Sequence, residues 1–174
     1  MAGIPPPPPP PRRFVTGHTP SGSSTILFED NGTQTAVQRG KFYMLWHDAQ
    51  PSDNAAPTDD NAVLPTQIIR EDGSLCRIVD LQPHGSTPLH RTVSLDYGIL
   101  LAGQMELELE NVDGGPNQFQ VLKVGDVVVQ RGTNHAWHNR GDTWARMAFI
   151  MLASNKIELN GKTLEPGGIL SFRN

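Results

Sequence analysis

Residues 90–103 read HRTVSLDYGILLAG, and the alternation inside them decides the fold. On an extended strand, residues of one parity share a face. His90, Thr92, Ser94 and Asp96 then point one way, and Tyr97, Ile99 and Leu101 the other. A row of histidine, hydroxyls and a carboxylate makes a poor core, because buried polar groups need partners. That face is expected to meet solvent or to line a polar cavity, with Tyr97 packed in the core behind it. A second stretch, residues 125–139, reads GDVVVQRGTNHAWHN. Here Val127 and Val129 alternate, Gly132 makes a turn, and His135 and Trp137 share a face that His138 leaves.

Working outward, the chain is a succession of short strands. SLCRIVDL, QMELELEN, QFQVLK and WARMAFIMLA follow one another, with Asp72-Gly73, the DGGP of 113–116 and Arg140-Gly141 as breaks. Asn160-Gly161 signals a last hairpin. Earlier, residues 12–18, STILFED and KFYMLW read as a first layer of strands parted by Asn31-Gly32. Residues 48–65 are polar and proline-punctuated and read as a surface loop or lid. No long amphipathic helix is evident. Many short, evenly spaced strands predict an all-β sandwich or barrel.

The 174 residues suit one domain with a full core. The net charge of -4 and the lack of a basic block exclude nucleic acid as an expected partner. No apolar run approaches the ~20 residues of a membrane span. MAGIPPPPPPPRR has no apolar core of a secretory signal, so a cytoplasmic protein is expected. The single cysteine, Cys76, sits in a strand-like run and reads as a small hydrophobe. Pro5 to Pro11 form an unbroken run that favours an extended polyproline helix. The organisation read from this is a disordered Pro-rich arm over 1–13, N-terminal strands and a surface loop over 14–65, and a barrel over 66–174.

The two quoted stretches resemble the paired motifs of the cupin superfamily. The first motif runs G, five residues, H-x-H, three or four residues, E, six residues, G. His90, Asp96 and Gly103 fill the first-histidine, acidic and final-glycine positions. Thr92 replaces the second histidine, Asp replaces Glu, and Gly85 lies one residue closer to His90 than the pattern asks. In the second motif Gly125, Gly132, His135 and Asn139 fall in place, and Gln130 stands at the proline position. The match covers roughly residues 75–155. It implies a cupin jelly-roll barrel, with an N-terminal strand extension, whose motif histidines point into its mouth. More narrowly, the wording resembles small single-domain cupins found with fungal polyketide biosynthesis enzymes. That implies a tailoring role on a small intermediate, and a homodimer built by strand exchange.

His90, Asp96 and His135 are the candidate catalytic residues and equally the candidate metal ligands. Two histidines and a carboxylate suit a divalent metal, Zn, Fe or Mn. Asp is a methylene shorter than Glu, which decides between ligand and neighbour. The metal-free alternative is His90 hydrogen-bonded to Asp96 as an oriented acid–base pair, with Thr92 as a donor, and a further one is Asp96 paired with Arg91 or Arg131 as a structural bridge. Thr92, Arg131 and Trp137 are the candidate substrate-binding residues: Arg131 for a carboxylate, Trp137 as an aromatic wall or as core. His138 is expected at the rim, and His84 on a surface loop or over the mouth. Three functions are open. The first is non-redox dehydration, decarboxylation, isomerisation or cyclisation, a lyase or isomerase activity on a small molecule. The others are an Fe(II) dioxygenase and a non-catalytic small-ligand-binding protein. Residues 1–11 are expected to be dispensable for activity.

Overall fold

The computed structural model describes residues 3–37, 39–54 and 69–168. These form strands only. The first four are β1 (Arg13–His18), β2 (Ser24–Asp30), β3 (Thr33–Val37) and β4 (Gly40–Ala49). The centre of the chain gives β5 (Gly73–Leu81), β6 (Ser94–Ala102), β7 (Met105–Leu109) and β8 (Gln118–Leu122). There follow β9 (Val127–Arg131), β10 (His135–His138), β11 (Ala145–Ala153), β12 (Ile157–Leu159) and β13 (Lys162–Leu164). The all-β reading holds. β3, TQTAV, is a strand that the sequence reading passed over. Most of the expected loop at 48–65 lies outside the described residues.

One sheet has the order β3-β4-β5-β11-β6-β9, and the facing sheet has the order β10-β7-β8. Every neighbouring pair is antiparallel. Backbone bridges from Ser86 to His138 and from His90 to His135 extend the smaller sheet by one more segment. β3 and β4 therefore belong to the same sheet as β6, the strand that carries Asp96, while both motif histidines lie in the smaller sheet. Alternation sends Leu75, Val79 and Leu81 of β5 inward with Met147, Phe149 and Met151 of β11. They pack with Leu100, Met105, Leu107 and Trp137 into one core. Tyr97, expected in that core, stands instead on the outer face, 37% exposed. It pairs with Val129 and Ile150 across the sheet, so the apolar parity of β6 is the outward one.

Two motif positions have clear structural reasons. Gly103 turns the chain at φ 75°, and a Cβ there would meet the Trp144 carbonyl oxygen at 2.6 Å. Asn139 is buried, and its Nδ2 reaches the carbonyls of Leu81, Gln82 and Thr143 at 2.8–3.1 Å. It ties the end of β5 to the turn before β11. At the same end, Arg146 grips the fully buried Asp80 with two bonds, Nε to Oδ1 at 2.6 Å and Nη2 to Oδ2 at 2.7 Å.

The proline run is laid along the barrel. Pro5, Pro8 and Pro11 are half-buried while the prolines between them are exposed, the three-residue period of a polyproline helix. Trp144 Nε1 donates to the Pro5 carbonyl at 2.8 Å, Arg146 Nη2 to that of Pro9 at 2.8 Å, and Asn31 Nδ2 to that of Pro11 at 2.7 Å. β1 and β2 form a separate hairpin. Arg13 fastens it, bonding Asp30 within the hairpin at 2.7 Å and the Leu45 carbonyl of β4 at 2.9 Å.

Candidate functional site

His90 and His135 are direct cross-strand partners. Each backbone N–H donates to the other's carbonyl at 2.9 Å. Residues exchanging both bonds stand opposite each other on one face, so the ladder itself aims both rings into the barrel. Their centroids lie 4.3 Å apart. His90 Nδ1 lies 2.9 Å from the Pro88 carbonyl, and His135 Nδ1 lies 3.0 Å from that of Thr133. A carbonyl only accepts, so the neutral His90 ring carries its proton on Nδ1 and keeps a lone pair on Nε2. The side-chain amide nitrogen of buried Gln130, a donor, also reaches the same His135 Nδ1, at 2.7 Å. Burial lowers both histidines, His135 to about 4, and the rings are neutral at pH 7.

Asp96 comes from β6, paired with Gln130 of β9 and Met151 of β11. It is 3% exposed, and its Oδ1 is buried without a hydrogen-bond partner. Burial pushes its carboxyl up to about 6, against the pull of the Ser94 hydroxyl and of the Arg77 charge. Thr92 accepts from Ser94 Oγ at 2.9 Å. Trp137 stands edge-on to His135 at 5.5 Å and to Phe149 at 5.5 Å, serving as cavity wall and as core at once.

His90, Thr92, Asp96, His135 and Trp137 all line one cavity of about 30 Å³. Its remaining walls are largely apolar, from Phe42, Val79, Met105 and Met147 among others. Arg131 is not in it. Because Asp96 pairs with Gln130, Gln130 turns inward and Arg131 outward. Arg131 lines a separate surface pocket with Arg91, Thr92 and Asn155. His138 faces away, bonded to Glu108 at 2.6 Å. His84 is exposed beside Asp142.

Arg77, which the sequence reading passed over, also lines the cavity. Its guanidinium carbon sits 5.4 Å from the centre of the Phe42 ring and 6.0 Å from that of Phe149. Burial lowers it to about 10, with Asp96 opposing that fall. The signal was present in SLCRIVDL: Leu75, Arg77, Val79 and Leu81 share the core parity, and only one of them is charged.

The donor set does not make a three-ligand metal centre. The Nε2 atoms suit a metal, but among the described residues no group of three His, Cys, Asp or Glu side chains is placed to hold one. Thr92 stands where a further imidazole would complete the set, and a guanidinium shares the cavity.

Comparison with known proteins gives this arrangement relatives. The sequence profile of the cupin domain matches residues 77–151. The phomopsin biosynthesis cluster protein D of Diaporthe leptostromiformis is 38% identical, over 90% of this chain and 85% of that protein. The cupin-domain-containing oxidoreductase fogC of Aspergillus ruber is 31% identical, over 88% of this chain and 77% of that protein. Among solved structures, the cupin domain of Schizosaccharomyces pombe Cnp3 superposes with a TM-score of 0.52 at 13% identity. It covers 82% of this chain and 88% of that one, and shows the shared fold alone.

Proposed function

The chain belongs to the cupin domain family, and from that membership we propose that it is a small-molecule tailoring enzyme of secondary metabolism. Its relatives include proteins named for fungal biosynthetic clusters. The proposed reaction class is non-redox proton transfer: isomerisation, dehydration, decarboxylation or cyclisation of a carbonyl-bearing intermediate. The observation that carries it is the cross-strand pair of neutral imidazoles, each with its Nδ1 tied by a hydrogen bond and its Nε2 left over. One imidazole takes a proton from a carbon made acidic by a neighbouring carbonyl. The imidazolium so formed returns that proton elsewhere on the intermediate or to a departing hydroxyl, directly or by way of the opposed imidazole. Asp96 steadies the imidazolium formed. The apolar walls keep water out of the exchange.

Incubating the protein in D₂O with a panel of 1,3-dicarbonyl compounds tests this. Deuterium incorporation that is lost in His90→Ala and His135→Ala supports it. No exchange across the panel, or exchange unchanged in both variants, overturns it. The name oxidoreductase carried by several relatives favours a second reading, a redox enzyme. Oxygen uptake dependent on added Fe(II) would select that reading. Saturable binding with no turnover of any kind would select a ligand-binding protein.

A homodimer and a cytoplasmic site of action complete the proposal. The outer face of the larger sheet exposes Tyr97, Val127 and Val129, and the separate β1–β2 hairpin exposes Phe14 and Ile26. A second copy of this chain would cover them. Sedimentation showing a monomer at micromolar concentration would remove the dimer.

A further inference from the structure

The cavity holds two unmatched groups of opposite character. Arg77 is half-buried as a side chain, yet its Nε is shut off from water and has no hydrogen-bond partner. Among the described residues its guanidinium makes no ion pair. Two aromatic rings flank it, which hold the guanidinium without using its N–H groups. Asp96 contributes the opposite orphan, a buried Oδ1 that accepts from nothing. Native structures rarely leave buried donors and acceptors unmet, and each such case asks for a missing partner. The about 30 Å³ of the cavity is room for roughly two water-sized groups, one beside each orphan.

We propose that Arg77 and Asp96 form a binding site for a hydroxy acid, Arg77 anchoring the carboxylate and Asp96 accepting from the hydroxyl. The inference rests on the tailoring reading, since it places the acid end of the intermediate beside His90 and His135. A planar carboxylate matches the guanidinium fork, and a neutral ligand would leave the charge unanswered. A hydroxyl supplies the one proton that Asp96 Oδ1 lacks. Only this end of the molecule need enter the cavity, so the remainder of a larger intermediate lies outside it.

Calorimetric titration with lactate, lactamide, propanoate and inorganic phosphate tests the assignment. Lactate is expected to saturate the wild-type protein, and lactamide to bind at least roughly tenfold more weakly, the worth of a charge-assisted bond. Arg77→Gln is expected to lose lactate binding, and Arg77→Lys to recover part of it. Circular dichroism of both variants separates misfolding from lost binding; if Gln fails to fold, Lys against wild type carries the comparison. Asp96→Asn is expected to narrow the preference for lactate over propanoate. Lactate binding unchanged in the arginine variants, lactamide or phosphate bound as tightly, or no saturable binding, as when water alone bridges the two groups, would each overturn the proposal. Lactate binding retained in His90→Ala, with proton exchange lost, keeps the two readings apart. Exchange without lactate binding sinks only this one.

Discussion

Two arginine–aspartate couples lie in this barrel, and they are built to opposite standards. At the end of β5, Arg146 and Asp80 meet through two parallel bonds, and Asp80 is fully buried. In the cavity, Arg77 and Asp96 feel each other's charge yet form no ion pair, and each keeps an unmet buried atom. The first couple is finished, so its worth is architectural. It pins β5 to β11 where the chain turns. The second couple is left open in the one place where the histidines converge. Unmet polarity is costly wherever it is buried, so its presence beside His90 and His135 marks a place reserved for something else.

The largest effect expected is at the open end. His90→Ala or His135→Ala should lower turnover by roughly 10²–10⁴-fold, the range for loss of general acid–base catalysis. Thermal melts should stay near wild type, since each ring lines a cavity rather than filling a core. A rate within threefold of wild type in both variants would erase the contrast between the two couples.

Next comes the finished couple. Asp80→Ala strands the Arg146 charge and should cost about 3–5 kcal/mol of stability, read by urea unfolding. A loss under 1 kcal/mol would show that Arg146 finds water instead.

Asp96→Asn should act the other way. The Asp96 carboxyl titrates near 6 in the fold against an ordinary 3.8, so folding favours its protonated form. Its stabilising share is full below about pH 3.8 and is lost as the pH rises through about 6. At pH 7 the charged group is a burden that Asn lifts, by on the order of 2 kcal/mol. The gain should vanish near pH 4. A variant less stable than wild type at pH 7 would mean that Arg77 already satisfies Asp96.

The smallest effect belongs to the proline segment. Removing residues 1–11 should cost about 1 kcal/mol, a few degrees of melting temperature, for its exposed hydrogen bonds. Turnover should be unchanged, and a fall in rate with an unchanged melt would tie the segment to the site.

Much of this was readable before any coordinates. Period-two alternation and glycine breaks located β5 through β11, most of which have one apolar face, and Asn160-Gly161 located the β12–β13 hairpin. β3 escaped because TQTAV opens with three polar residues in a row and is half-buried at best. Strand parity put His90, Thr92 and Asp96 on one face, and His135 with Trp137 on another. It could not bring the two faces together, since that depends on which strands pair. The same gap left Arg131 open: only the Asp96–Gln130 register shows that Arg131 points out. Tyr97 was put on the wrong layer because apolar was equated with inward. In β6 the inward face is the polar one near the site. Arg77 belongs to no motif, and its one signal is a lone charge among the apolar residues Leu75, Val79 and Leu81.

The proline strap has a mechanical consequence. Prolines enter folding already stiff, so docking them forfeits little chain freedom, and few contacts hold them. Their nitrogens have no hydrogen to give, so the bonds come from donors outside the run, Trp144 and Arg146 on the barrel and Asn31 in the turn after β2. The strap spans from the start of β11 to the turn after β2, past the same Arg146 that locks Asp80. It behaves as a taut stay between the barrel and the β1–β2 hairpin. A hairpin with no ladder to either large sheet is thereby kept from swinging, and the angle at which it leaves the barrel is set by a rod rather than by a strand.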